Sequence, residues 1–96
     1  MLLKTGVNIS RLLPPIRKKL NLISSIVLEV SQQEIVITST YEGTHSPSSL
    51  HYANLAIDIR LAKNYVKVAE ELRAALGKGY VIIVESNHIH IEYDPK

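Results

Sequence analysis

Three side chains from two short stretches of the sequence could together bind a metal ion. His51 and Asp58 are seven residues apart, and the second stretch, residues 85–90 with the sequence ESNHIH, lies near the C-terminus. Zinc accepts imidazole nitrogen and carboxylate oxygen, and a zinc ion held by three protein side chains keeps one position open for chemistry. His51, Asp58 and one histidine of the second stretch therefore predict a zinc site of the catalytic kind, which is the arrangement of a hydrolase.

Each of these residues also has an ordinary structural interpretation. His51 fits a loop histidine and Asp58 a surface carboxylate, while His88 and His90 fit the solvated face of an edge strand. Taken singly, each residue favours that structural interpretation. Their combination favours the metal site.

The composition indicates a single globular domain over residues 1–96 and argues against several functions. Hydrophobic residues make up 46% of the chain and charged residues 21%, which is typical of a soluble fold. The absence of cysteine excludes disulfides, thiolate metal sites and cysteine nucleophiles. A net charge of only +2, with no Trp and no Phe, argues against a nucleic-acid partner, since base-stacking side chains are scarce.

The N-terminal residues do not resemble a targeting segment. They lack a basic region followed by a long apolar run, and no stretch approaches the roughly 18 apolar residues of a membrane-spanning helix. We therefore expect a chain without an export signal, cytoplasmic as synthesised, with no integral membrane contact. The sequence leaves the oligomeric state open, and a monomer is the expectation.

The elements that must position the candidate ligands follow from hydrophobic periodicity. Apolar residues at alternating spacings of three and four predict one helix over residues 14–31 and a second over 61–76, closed by Gly77. Strands are predicted at 35–37, 55–60, 80–84 and 88–93. The resulting order of elements predicts an α+β fold with a small antiparallel sheet and two helices.

Alternation along two of these strands places the ionisable residues on defined faces. Asp58 is expected opposite the bulky apolar residues of its strand, and the last strand carries His88, His90 and Glu92 on one face. A polar loop from residue 38 to 49 delivers the chain to His51.

Residues 49–58 have the pattern Ser-x-His-x-x-Asn-x-Ala-x-Asp, and residues 88–90 follow as His-x-His. This pattern resembles that of the zinc D-Ala-D-Ala carboxypeptidases and L-alanyl-D-glutamate endopeptidases, which share a fold with the hedgehog signalling domain. The family pattern has Gly in place of the Asn and an acidic residue before the final His-x-His or Trp-x-His. The likeness is strongest over residues 38–60 and 84–93, whereas the helices match only in order and approximate length.

The resemblance implies a hedgehog/DD-peptidase-like fold and a role for each polar residue. His51, Asp58 and His90 would bind Zn²⁺, and His88 would lie beside the metal, suited to stabilising an oxyanion or fixing the attacking water. Glu85 is the candidate base that takes a proton from water. It ends an apolar run, where partial burial would raise the pKa of its carboxyl group.

Three departures from the family pattern affect the expected activity. Asn87 stands where many relatives have an acid, and an amide cannot act as a base. Either Glu85 supplies that function, or the protein binds metal without activity, or the position has been changed to inactivate it. Asn54 in place of glycine is a mild change, since Asn tolerates left-handed backbone geometry. Residues 38–48 offer only His45 where carboxypeptidases of the family have an arginine, which favours an endopeptidase; Arg60 could hold a substrate carboxylate or be a plain surface arginine.

These observations predict a zinc metallopeptidase, of the carboxypeptidase or endopeptidase type, that hydrolyses peptide stems or cross-links of bacterial peptidoglycan. The short chain fits a phage endolysin or prophage remnant that acts on a host cell wall. One alternative is a catalytically silent metal-binding domain that binds a peptide or protein partner. Another is a structural or virion-assembly domain without metal.

Overall fold

The computed structural model describes residues 1–40 and 55–95. These residues form a five-stranded sheet with helices packed on one of its faces. This architecture confirms the α+β prediction. The strands are β1 (Leu2–Leu3), β2 (Val36–Ser39), β3 (Ala56–Arg60), β4 (Tyr80–Val84) and β5 (His88–Tyr93). The helices are α1 (Pro14–Arg17), α2 (Leu20–Ser31) and α3 (Tyr65–Leu76). No helix in the described ranges is long and apolar enough to cross a membrane.

The strand order is β1-β2-β3-β5-β4, and the sheet is mixed rather than wholly antiparallel. The neighbouring pairs β2–β3, β3–β5 and β5–β4 are antiparallel as expected, but β1 pairs parallel with β2. Two backbone bonds hold β1, from Leu2 N–H to the Ile35 carbonyl and from Lys4 N–H to the Ile37 carbonyl, each 2.9 Å. A strand of two residues is too short to produce a periodic signal, which is why the expectation was wrong at this edge.

The pairing of β3 with β5 sets which side chains share a face. Ile57 lies opposite Ile91 and Ile59 opposite Ile89, while Asp58 lies opposite His90. Because side chains alternate between the two faces of a strand, the isoleucines face the helices and the ionisable residues lie on the other face. The predicted placement of Asp58 is confirmed.

The core fills the space between the sheet and the helices. The four isoleucines of β3 and β5 are at most 1% exposed. The buried helix residues that cover them belong to the two predicted apolar stripes: Ile16, Leu20, Ile23, Val27, Val68, Ala69, Leu72 and Leu76. The two predicted stripes also include Leu13, Val30, Leu61, Tyr65 and Ala75, of which Leu13, Tyr65 and Ala75 are exposed. Leu13 and Tyr65 stand at or before a helix start.

The predicted helix over residues 14–31 is interrupted at Lys18 and Lys19. The Lys19 N–H bonds to the Ile16 carbonyl at 3.0 Å, three residues back instead of four, so the chain tightens into a turn before α2 begins. The hydroxyl of Tyr80 donates to the Pro15 carbonyl at 2.6 Å, which joins α1 to β4. The second helix starts at Tyr65 instead of residue 61, because Asn64 adopts a left-handed conformation (φ 60°) directly before it.

The outer edge of β4 is also contacted by a side chain of α3. The Glu85 N–H donates to the His88 carbonyl at 2.8 Å, and the Gly79 carbonyl accepts from the Asp94 N–H at 2.6 Å. By alternation, the backbone groups of Tyr80, Ile82 and Val84 point away from β5. The guanidinium of Arg73 donates to the Ile82 carbonyl at 2.9 Å, so one outward carbonyl is satisfied.

Candidate functional site

Asp58 and His90 form the centre of the ionisable face. They lie opposite each other on β3 and β5, and His90 Nδ1 is 2.9 Å from Asp58 Oδ1. Both side chains are largely buried, with 17% of the His90 side chain and 14% of the Asp58 side chain exposed. The sequence predicted that these two residues converge, and the structure brings them into direct contact.

A third residue, Glu92, contacts the other side of the same imidazole. His90 Nε2 is 2.7 Å from Glu92 Oε1, and Glu92 projects from the same face of β5 because it is two residues away. His90 therefore lies between two carboxylates. When a histidine binds a metal through one nitrogen, its other N–H commonly donates to a carboxylate, which fixes the tautomer and raises the basicity of the ligand.

The two carboxylates change the proton affinity of His90. Its pKa is raised above the ordinary value, chiefly by the hydrogen bond with Asp58 and also by that with Glu92, against the opposing effect of burial. A protonated ring donates to both acids at once. A metal ion at the Nδ1 atom must therefore displace a tightly held proton.

The geometry of the pair is compatible with zinc. Two ligand atoms in tetrahedral coordination, each about 2.0 to 2.2 Å from zinc, are roughly 3.3 to 3.6 Å apart. The Nδ1 to Oδ1 distance of 2.9 Å is shorter by a few tenths of an ångström, so a small side-chain movement would admit the ion. Within residues 1–40 and 55–95, however, no group of three or more His, Asp or Glu side chains is arranged to hold a metal.

The third expected ligand, His51, lies outside the described residues, as does Asn54. The described part of the chain therefore supplies two of the three predicted ligands and one carboxylate behind them.

His88 lies beside this pair, as expected from alternation. Its Nε2 atom is 3.7 Å from Asp58 Oδ1, and its Nδ1 atom is 2.6 Å from the side-chain oxygen of Asn87. With the amide oxygen as acceptor, Nδ1 carries the proton, and Nε2 faces the Asp58 side of the site. Asn87 thus orients the ring of His88.

Glu85 occupies a more open position than expected. Its backbone N–H donates to the His88 carbonyl at 2.8 Å, which continues the β4–β5 ladder by one residue pair. The side chains of Glu85 and His88 therefore project from the same face of the sheet. The residue is exposed. The partial burial expected at this position is therefore not found, and its suitability as a base rests on its place beside His88.

An irregularity in β2 lies next to the site. The register of β2 against β3 shifts between Ile37 and Ser39, so Thr38 is an extra residue at a β-bulge. Its hydroxyl donates to the Asp58 carbonyl at 3.3 Å. Bulges occur often beside functional sites, where they redirect a side chain; this one links β2 to the residue that faces His90.

Glu92 is the functional residue that sequence reasoning left without a role. The alternation of β5 placed it on the ionisable face, but alternation gives the face of a residue and not its hydrogen-bond partner. The spacing His-x-Glu, two residues on one strand face, was the available signal. It was obscured because the histidine pair immediately before it fits the family motif.

The chain was compared with protein-family models, curated proteins and solved structures, and none of them matches it.

Proposed function

We propose that this chain is a zinc-dependent peptidase that hydrolyses peptide stems or cross-links of bacterial peptidoglycan. The observation that carries the proposal is the Asp58–His90–Glu92 arrangement, in which an imidazole faces one carboxylate and is held by another. Together with the sequence pattern over residues 49–58, this arrangement supports a zinc site and a hedgehog/DD-peptidase-like fold. The proposed ligands are His51, Asp58 and His90.

Each described residue has a defined task in this proposal. Zinc, when bound, would polarise the scissile carbonyl and lower the pKa of water. Glu92 holds the His90 ring with Nδ1 directed at Asp58. His88, oriented by Asn87, would stabilise the oxygen that becomes negatively charged during hydrolysis as an imidazolium, in which Nε2 also carries a proton. Glu85 accepts a proton and passes it to the departing amine.

The proposed substrate and setting come from the resemblance. Peptides with D-residues are poor substrates for ordinary proteases, and a dedicated zinc peptidase cleaves them. A phage endolysin or prophage remnant that acts on the host cell wall would fit this substrate. Recognition of peptide, and not nucleic acid, also fits the low net charge of +2.

The test is to measure bound metal and hydrolysis on the same preparation. Protein purified without a histidine tag should contain about one zinc per chain by elemental analysis, and mass spectrometry should detect cleaved muropeptides. Glu85→Gln should keep the zinc but lower turnover at least about a hundredfold, the usual scale of a positioned base. Glu70→Gln, on the exposed side of α3, is the matched control and should retain turnover.

A second candidate function is a silent metal-binding domain that binds a peptide or protein partner. Asn87 favours it, because this amide stands where the family has an acid and is occupied with orienting His88. Zinc without any hydrolysis of muropeptides would select this function, and absence of zinc would reject both.

A further inference from the structure

The charged residues are unevenly distributed along the chain. The first 28 residues contain five of the eleven Lys and Arg residues and none of the nine Asp and Glu residues. Three of the five, Arg17, Lys18 and Lys19, are consecutive and lie at the junction of α1 and α2. The first acidic residue, Glu29, is seven positions beyond Leu22, about 10 Å along α2. A segment that carries cations alone creates a local positive potential that the net charge of +2 does not reveal.

Two exposed leucines flank these cations. Leu13 is 44% exposed and Leu22 is 38% exposed, and Arg17 and Lys18 are exposed as well. The Arg17 N–H bonds to the Leu13 carbonyl at 2.9 Å, which is one helical turn, so the two side chains are neighbours. Lys18 precedes Leu22 by four residues through a right-handed helical backbone, which places these two on one side. We call these four residues the basic–leucine patch.

The backbone beneath the basic–leucine patch is anchored to the core. Ile16 and Leu20, which lie within the same stretch of chain, are 0% and 6% exposed, so the patch faces outward. The Tyr80 hydroxyl holds the Pro15 carbonyl, and the Lys19 ammonium lies 6.0 Å from the centre of the Tyr80 ring. A surface that is already ordered loses little conformational entropy when a partner binds.

The charged groups of the patch are accessible to a partner. Neither Arg17 nor Lys18 forms an ion pair with any residue in the described ranges. Arg17 donates to the Ser10 carbonyl at 3.2 Å, which uses one of the donors of its guanidinium. Cations beside apolar side chains match a membrane surface, where anionic headgroups lie directly above an apolar interior. The long stems of Lys and Arg keep their charges at the headgroups while shorter apolar side chains go deeper.

We propose that the basic–leucine patch binds the surface of a bilayer that contains anionic phospholipids. Arg17 and Lys18 contact the lipid phosphates, and Leu13 and Leu22 enter the boundary between headgroups and acyl chains. A nucleic acid would use the cations but not the leucines, and the chain has no Trp or Phe on which bases could stack. The leucines therefore favour a lipid surface. This peripheral contact goes beyond the proposed peptidase function, since no residue of the candidate zinc site takes part.

The test is co-sedimentation of metal-free protein with large vesicles in the presence of EDTA. Vesicles of phosphatidylglycerol and phosphatidylcholine should bind the protein, and vesicles of phosphatidylcholine alone should not. Added salt should weaken the binding, because it screens exposed charges. A single-stranded oligonucleotide is the competing polyanion, and it should bind the protein more weakly than the anionic vesicles do.

Charge variants locate the electrostatic part of the contact. Arg17→Gln and Lys18→Gln should each weaken binding to the anionic vesicles about fivefold, the usual effect of one basic residue near an anionic surface. Lys67→Gln, at an exposed position of α3, makes the same charge change away from the patch. Its effect should be less than about twofold, since exposed charges are screened over about 10 Å.

Leucine variants separate a bilayer from a polyanion. Leu22→Ala should weaken binding to the anionic vesicles several-fold, because less apolar surface enters the bilayer. Leu28→Ala is the matched control, since Leu28 is 54% exposed on the same helix but lies about 120° around it from Leu22. Leu28→Ala should leave the binding unchanged.

Three outcomes would overturn the proposal. The first is no binding to the anionic vesicles, and the second is equal binding by the Leu22 and Leu28 variants. The third is tighter binding to the oligonucleotide than to the vesicles, which would assign the patch to a nucleic acid. Because the measurement needs neither zinc nor peptidoglycan, its outcome is separate from that of the zinc and hydrolysis assays.

Discussion

His90 contacts carboxylate oxygens through both ring nitrogens, and the two contacts have different consequences for metal binding. The contact with Asp58 lies where a metal would bind, whereas the contact with Glu92 lies on the far side of the ring. A bound metal would therefore replace the first contact and keep the second.

Glu92→Ala should weaken zinc binding about 10- to 100-fold, the usual effect of removing a hydrogen-bond partner behind a metal ligand. The measurement is competition with a chromophoric chelator at fixed pH. Glu29→Ala, an exposed carboxylate on α2, is the control and should leave the affinity unchanged. Equal affinities for the parent and the Glu92 variant would show that Glu92 does not support the metal.

The raised pKa of His90 predicts a pH-dependent stability in the metal-free protein. A histidine whose pKa is higher in the folded state, above the unfolded value of about 6.5, contributes stability that is fully present below pH 6.5. That contribution is lost as the pH rises through the folded pKa. In EDTA, the melting temperature of the parent should exceed that of His90→Gln by more at pH 5.5 than at pH 9. A difference that grows with pH would contradict the charged contact with Asp58 and Glu92.

Asn87→Asp tests which residue supplies the proton acceptor. If Glu85 does so, the substitution should change turnover only a few-fold and leave the zinc content unchanged, because the Asn87 oxygen already orients His88. A gain of about two orders of magnitude in muropeptide cleavage would instead show that position 87 itself must be acidic. Asn64→Asp, at the start of α3, is the matched control and should not alter turnover.

At the scale of elements, β5 determines both the core and the candidate site. Its isoleucines face the helices, and its two histidines and Glu92 face the other way. This division was predictable, because a period of two over six residues has only one interpretation. The register that puts His90 opposite Asp58 was not, since alternation fixes faces and does not fix which residues are paired.

Ile91→Ala should destabilise the fold by about 2 to 5 kcal/mol, because it leaves a cavity in a fully buried strand position. Urea unfolding measures this free energy. Ile83→Ala, on the exposed side of β4 at 41% exposure, makes the same change in composition and should cost far less. If the two variants unfold at the same urea concentration, β5 is not a buried interior strand.

The interruption near Lys18 and the strand β1 show where periodicity stops being informative. The apolar spacing continues through the interruption, so nothing in it marks the turn that the Lys19 to Ile16 bond creates. β1 is held by its neighbour's backbone and not by buried side chains, since Leu2 and Leu3 are 52% and 42% exposed. Backbone pairing of this kind leaves no trace in side-chain pattern.

At the scale of the whole molecule, a domain of this size has a small stability margin, to which a bound ligand contributes substantially. Zinc at about a hundred times its dissociation constant should add about 2.7 kcal/mol. For a domain of up to about 100 residues this corresponds to a rise in melting temperature of roughly 10 °C or more, measurable by differential scanning calorimetry.

His51→Ala should remove that rise, and His45→Ala, the only histidine without an assigned role, should keep it. A rise that survives His51→Ala would show that the metal binds elsewhere.

The contact between Arg73 and the Ile82 carbonyl has a consequence for how the protein behaves at high concentration. Tyr80 to Val84 reads YVIIV, an uncharged, β-branched segment of the kind that stacks into amyloid-like assemblies when its edge is open. A guanidinium on one outward carbonyl puts a charge and a steric block where another chain would add its strand. We therefore expect Arg73 to act as a gatekeeper residue, so that Arg73→Ala should lower the yield and increase light scattering before any change in the folded monomer.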